Sequence, residues 1–307
     1  MKALLYYNPV SVTDPANFKY PGIEKFSHFF QIYRTASTPI DRSGTLHYPV
    51  RTKVLFPIPP FREFTKSYEE VCNERAQELL QRADTLDCII HVFWSGGIDS
   101  TLTLVSHLKN ATTAQKKRIV VLLSDESINE NPNFFSEHIR GKLRHDSSIH
   151  FTNLLGTDHL FVSGEHNDQL FGSDTIKWIL ERYGSVALHA PYKREYFHTL
   201  FLERTGRDDL ADFFVELFER LRNSAPIPLE STNNVLSWFG FCNHWQAVSM
   251  RTLSFVSKRN AALITPEYFT ERYAPFFNTE EFQLWSMNNT DKRIRDTWES
   301  YKWPCKD

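Results

Sequence analysis

The run Ser95-Gly96-Gly97-Ile98-Asp99-Ser100 places two adjacent glycines, two hydroxyls and a carboxylate within six positions. Adjacent glycines let a backbone take positive φ and approach a ligand closely. A helix starting just beyond them points unpaired N–H groups and the positive end of its dipole at the same spot. That is chemistry for an anion, with Ser95, Ser100 and Thr101 as additional hydroxyl donors. A carboxylate there would repel a phosphate unless a cation lay between them, so Asp99 reads as a magnesium ligand. The Walker pattern Gly-x-x-x-x-Gly-Lys-Ser/Thr is absent. A Gly-Gly turn with a Ser or Asp helix cap is the plain alternative for the same residues.

A second stretch, Ser163-Gly164-Glu165-His166-Asn167-Asp168-Gln169-Leu170-Phe171-Gly172-Ser173-Asp174, repeats that logic after the apolar residues Leu160 to Val162. Glu165 and Asp168, three apart beside a glycine turn, could hold Mg2+ or orient an amine. A calcium loop needs more carboxylates at alternating positions and is excluded. Taken alone, the stretch reads equally well as a polar helix start.

Such residues need elements to hold them. Cys88 to Phe93 reads as a buried strand, and Ser100 to Lys109 as a helix packing through Leu102, Leu104, Val105 and Leu108. After the polar turn Ala111 to Lys117, Arg118 to Leu123 is a second buried strand. Strand, loop, helix and strand form a βαβ unit with parallel strands, and ligands in such sheets bind outside the strand C-termini. Ser124 to Asn129 would then lie near whatever the first loop binds, or form a capped loop before a helix over Pro132 to Leu143. Upstream, Phe61 to Ala83 has helical spacing and delivers the chain into the first strand. Downstream, a helix follows from about Thr175 to Arg182, and residues 185–307 read as mainly helical, with a strongly amphipathic helix over Asp208 to Asn223. Residues 1–60 form an accessory segment: a short strand at Ala3 to Tyr7, then a Pro- and Thr-rich region of irregular structure or edge strands.

In order along the chain, Ser95 to Ser100, then Ser163 to Ser173 about 60–70 residues later, then Tyr273-Ala274-Pro275-Phe276-Phe277-Asn278-Thr279 resemble three segments of one family. These are the SGGxDS, SGEGxDExFGGY-like and R-x-PFLD segments of the synthetase domain of asparagine synthetase and its relatives, including β-lactam synthetase and lasso-peptide cyclases. The family belongs to the N-type ATP pyrophosphatases of the PP-loop superfamily, and the resemblance covers about residues 60–300. It implies an α/β domain over 61–307, with a parallel sheet flanked by helices (adenine nucleotide alpha hydrolase-like) and a mainly helical C-terminal part. It also implies ATP and Mg2+ as cofactors: Ser95, Gly96, Gly97, Asp99 and Ser100 around pyrophosphate, Asp99 and Asp168 as metal ligands, and Ser163 and Gly164 on the nucleotide. Glu165 would sit where an amine attacks an acyl-adenylate. The implied reaction adenylates a small-molecule or polymer-borne carboxylate and transfers it to ammonia or another amine.

The chain departs from the family's pattern at His166, which replaces a small residue, and at Gln169, which replaces an acid. The family's late lysine has only Lys292, Lys302 and Lys306 as candidates, so a partner protein supplying ammonia or missing residues is one expectation. No cysteine precedes Cys72, so a glutaminase half is not expected. Two alternatives stand beside the synthetase: a nucleoside- or tRNA-modifying PP-loop adenylase, disfavoured because Cys88 and Cys242 have no evident partnership, and a non-catalytic nucleotide-binding scaffold.

With 41% hydrophobic and 14% aromatic residues among 307, the chain can bury a large core and is not of disordered composition. A net charge of −2 and a single short basic cluster, Lys116-Lys117-Arg118, do not imply a nucleic-acid partner. No apolar run approaches the roughly 18 residues needed to span a membrane. The four cysteines lack metal or redox spacing and fit a cytoplasmic protein. Trp238 to Trp245 could line a pocket, although an aromatic core with His244 satisfied is the better reading. His189 and His198 show no metal-ligand spacing on a common face.

Overall fold

The computed structural model describes residues 23–33, 40–48, 53–172, 175–251 and 258–293. In chain order its principal elements are α1 (Ile23–Tyr33), α2 (Tyr68–Thr85), β1 (Ile90–Phe93), α3 (Ile98–Asn110), β2 (Ile119–Leu123), α4 (Asp125–Glu130), β3 (Arg144–Ser147) and β4 (Leu160–Ser163). There follow α5 (Ile176–His189), α6 (Arg194–Thr205), α7 (Asp208–Asn223), α8 (Thr232–Asn243) and β5 (Tyr273–Pro275). The strand expected at Ala3 to Tyr7 lies outside the described residues, as do Ser173, Asp174, Lys302 and Lys306.

These elements gather into two compact units, whose described parts are 64–167 with 258–285, and 23–63 with 168–251 and 286–293. Residues 61–307, expected as one domain, therefore contribute to both.

The first unit is an α/β layer built on five parallel strands in the order β3-β2-β1-β4-β5. Its centre is apolar on both faces: all five residues of β2 and all four of β4 are buried, the pattern a covered parallel strand requires. Ile90 pairs with Ile119 on one side and Leu160 on the other, which places β1 at the middle. α2 and α3 pack together over this sheet. α2 starts at Tyr68 rather than Phe61, because Ser67 and Glu70 form a capping box that fixes the helix start. Over Ser124 to Asn129, the residues form α4, with the Ser124 side chain accepting from the Ser127 N–H. The long helix expected over Pro132 to Leu143 is instead one turn, Pro132–Phe134, and a wide π turn, Phe135–Ile139, ending before Gly141 at φ 69°. β3 was not expected, since Arg144-His145-Asp146-Ser147 is polar and pairs on one edge only.

The second unit is helical. α6 and α7 form an antiparallel hairpin, α6 closing on Gly206 in the left-handed conformation at φ 65°. α7 spans the residues its amphipathic spacing indicates and buries Leu210, Phe214, Leu217, Phe218 and Leu221. Phe218 stacks on Phe239 of α8 with ring centroids 4.0 Å apart. α5 runs beyond Arg182 to His189, through a non-helical Gly184. The segment before residue 60 is more regular than its composition suggests. α1 places Phe29 against Phe214 and Phe239, at 5.3 and 5.7 Å, and Arg42 donates to the Phe241 carbonyl at 2.7 Å. Among the described residues, no helix is long and apolar enough to cross a membrane.

Candidate functional site

Strand order 3-2-1-4-5 reverses direction between β1 and β4, and a parallel sheet opens a crevice outside the strand C-termini at such a point. Both turns singled out from the sequence leave the sheet there. After β1, Trp94 is buried and its indole Nε1–H donates to Thr101 Oγ1 at 2.9 Å, tying the strand end to the first turn of α3. Gly96 follows at φ 86°, where a Cβ would come within 2.4 Å of the Ser127 carbonyl, so both conformation and space demand glycine. Gly97 is the N-cap of α3 and offers no side-chain cap, so the start of that helix turns backbone N–H groups toward the loop.

The hydroxyls brace the loop. Ser100 Oγ donates to the Gly97 carbonyl at 2.9 Å and accepts from the Ser95 N–H at 3.0 Å. A hydroxyl has one proton, so at 3.1 Å it is Ser95 Oγ that donates to Ser100 Oγ. Ser95 and Ser100, expected as donors to an anion, thus first hold the backbone in the shape that presents its N–H groups.

The second turn is anchored by the third sequence segment. β5 pairs with β4, Ser163 opposite Pro275, and the Phe276 N–H donates to the Ser163 carbonyl at 2.8 Å. The Tyr273 hydroxyl donates to Ser163 Oγ at 3.3 Å. Buried Arg75 of α2 donates to the Pro275 and Phe276 carbonyls and pairs with Glu78. Gly164 packs directly on the start of α3: a Cβ there would lie 2.9 Å from the Ser100 nitrogen and 3.0 Å from the Asp99 carbonyl carbon. The two turns are therefore in van der Waals contact through Gly164. Glu165 is half-buried, and His166 is buried with φ at 83°, an uncommon conformation for a residue with a Cβ.

Three side chains that sequence reasoning passed over complete this end of the sheet. Asn167, fully buried, donates from Nδ2 to Asp99 Oδ1 at 2.7 Å and accepts on Oδ1 from the Tyr68 hydroxyl. The Tyr68 ring packs among Phe277, Phe282 and Trp285. Burial, with Cys72 and Asp99 adding to it, pushes the Tyr68 phenol well above its ordinary pKa. Glu130, at the end of α4, leans over the glycines: a Cβ on Gly97 would meet its Oε1 at 3.2 Å. Tyr68 lies in the helix before β1 and Glu130 beyond β2, and Asn167 lies among other polar residues of its turn, so only the fold brings all three to the loop.

The donor set suits a metal-bound polyphosphate: backbone N–H groups at a glycine nest for the phosphate oxygens, and the Asp99 and Glu130 carboxylates for a hard cation. Asp168 lies in the short helix Asn167–Phe171, at the first residue of the second unit's central stretch. Lys292 is exposed and 3.7 Å from Asp291.

In the second unit Trp238 and Trp245 pack on Phe241, and Phe239 packs on Phe218, all of them buried, an aromatic core rather than a pocket lining. A cavity of about 370 Å³ lies instead along His189, Glu230, Ser231, Asn233, Asn234 and Asp291. His198 does have acidic company, contrary to the reading from spacing: its Nε2 is 3.3 Å from Asp208 Oδ1 and 3.6 Å from Asp212 Oδ1. The grouping spans two helices, which sequence spacing cannot show. Arg194 donates to the same Asp212 oxygen at 2.8 Å and to Glu219 at 2.7 Å, making a charge network of it.

Compared with protein-family models and with curated proteins, the chain matches none.

Proposed function

We propose that this chain is an ATP-dependent, AMP- and pyrophosphate-forming synthetase of the asparagine synthetase-like kind, a PP-loop carbon–nitrogen ligase acting in the cytoplasm. The observation that carries the reading is the contact of Gly164 with Asp99 and Ser100, which brings an anion-binding turn and an acid-bearing turn together at the reversal of a parallel sheet.

In this reading a carboxylate oxygen attacks the α-phosphorus of ATP and pyrophosphate departs. The N–H groups at the start of α3 receive the charge that develops on the leaving oxygens, already oriented by the Ser95 and Ser100 braces. Mg2+ supplies further charge neutralisation when bound, with Asp99 and Glu130 as the carboxylates at the loop that would hold it. Ser163 and Gly164 lie alongside the nucleotide. The amine, ammonia or another, then attacks the acyl carbon, AMP leaves, and Glu165 accepts the proton released from nitrogen.

The test is AMP and pyrophosphate release from ATP with Mg2+ over a panel of carboxylates and amines. The two products should appear together, and Asp99→Asn should slow the release of both by about 10²–10³-fold. Release of ADP and orthophosphate would overturn the proposal.

A further inference from the structure

We propose that Asn167, itself fixed by Tyr68, is the positioning residue that sets the orientation of Asp99 for a divalent cation at the glycine loop. The inference rests on the reading of Asp99 as a magnesium ligand and adds to it the means by which one carboxylate is held ready.

The three side chains form a hydrogen-bond chain with only one consistent direction. An ionised Asp99 can only accept, so the Asn167 group facing it must be the NH2, and the amide oxygen must face away. The Tyr68 hydroxyl meets that oxygen and donates to it. With the amide reversed, its oxygen would face the carboxylate. Tyr68 cannot turn aside, because Phe277, Phe282 and Trp285 surround its ring, with centroids 4.8 to 6.3 Å away. Nor does it ionise near neutral pH, since burial raises its pKa well above 10.0, and it remains a donor.

Asn167 is 0% exposed, so water does not replace the amide in either bond. The donated N–H fixes the plane of the Asp99 carboxylate at the N2 position of α3. Partners of this kind, one step removed from a metal, typically change metal affinity by about 10–100-fold when lost. A bond that merely held two segments together would change thermal stability and leave the cation dependence alone.

The deciding experiment is calorimetric titration of ATP into wild-type protein, Tyr68→Phe and Asn167→Leu at a series of Mg2+ concentrations and in EDTA, with thermal melts of all three. Asn167→Leu should raise the half-saturating Mg2+ concentration by about 10–100-fold and Tyr68→Phe by about 3–10-fold. Affinity for ATP in EDTA should stay within about two-fold, since the loop N–H groups are untouched. Tyr68→Phe keeps the packed ring and decides the matter if Asn167→Leu fails to fold. Wild-type Mg2+ dependence in Tyr68→Phe and any folded Asn167→Leu overturns the positioning role while leaving the synthetase reading intact, and so does an equal loss of affinity with and without the metal. If wild-type protein binds ATP no better with Mg2+ than in EDTA, the assignment of Asp99 falls and this inference with it.

Discussion

The two turns at the C-terminal ends of β1 and β4 begin alike, with a buried strand followed by small residues, and then differ in what they offer. The first is backbone chemistry: Gly96 at φ 86°, an N-cap with no side chain, and two serines bonded to the loop itself. It opens a helix of 13 residues whose dipole adds to the nest. The second is side-chain chemistry: Glu165, buried His166 and buried Asn167, leading into a helix of five residues. A long helix and glycines make a place for an anion, whereas a short turn crowded with polar side chains makes a place for acids and bases. In the proposed reaction this contrast becomes a division of labour, with phosphate on one turn and proton transfer on the other.

The sharpest way to break this division is to give each turn a methyl group. Gly96→Ala must force an L-residue to positive φ and drive a Cβ to 2.4 Å from the Ser127 carbonyl. Strain of this kind costs about 1–3 kcal/mol before the clash is relieved. Nucleotide affinity should fall beyond detection in a protein with a clearly lowered Tm. Gly164→Ala has no such φ and meets atoms at 2.9–3.0 Å, so α3 must shift by a few tenths of an ångström. Its protein should stay folded and bind ATP weakly. Equal behaviour of the two variants in calorimetry would argue against distinct roles.

Next in size are the carboxylates. Asp99→Asn should slow pyrophosphate release by about 10²–10³-fold, the scale of losing one charge-stabilising contact at a transition state. Glu165→Ala should spare pyrophosphate release and slow the amine step by about 10²-fold or more. Single-turnover assays that follow pyrophosphate and final product separately distinguish them, and a common defect in the first step would remove the proposed division.

A smaller effect concerns the scaffold between the turns. His107 on α3 is buried against Phe276, donates from Nδ1 to the Thr103 carbonyl at 2.7 Å, and is held to a pKa of about 4, chiefly by burial. The unfolded state, with a histidine pKa near 6.5, takes up the proton first. Stability should therefore fall as pH drops from about 6.5 to 4 and change little further below. The loss attributable to this residue is at most about 3 kcal/mol. Chemical denaturation between pH 7 and 4 should show a shallower slope in His107→Leu than in wild-type protein.

Much of this was legible in the residues. The β2 strand is an uninterrupted apolar run and β1 is one broken only by His91, and the glycine pair between them announces a turn whatever its ligand. The edge strand β3 was not legible, because a polar strand paired on one side carries no hydrophobic signal. α1 had its signal in Phe26, Phe29 and Phe30, spaced three and four apart, hidden by the Pro- and Thr-rich residues around it. At the site, the glycines and Asp99 stood out because few residue types serve those ends. Tyr68, Asn167 and Glu130 did not, since their meaning comes from neighbours up to 99 positions away.

Glu130 gives the smallest and most discriminating test of the comparison. Its carboxylate lies over the loop proposed to bind phosphate, with Oε1 at 3.2 Å from where a Gly97 Cβ would be. Without a metal it acts as a like charge against an incoming phosphate, whereas with Mg2+ between them it becomes a ligand. Exposure to solvent keeps either effect modest. Glu130→Gln should therefore tighten metal-free ATP binding by about 3–10-fold, on the order of 1 kcal/mol for one near-surface charge. It should also weaken the further gain that Mg2+ brings. A change of the same sign and size in both conditions would mean that the side chain only crowds the loop. Opposite signs would mean that the first turn, for all its reliance on backbone, also borrows a carboxylate to manage the cation.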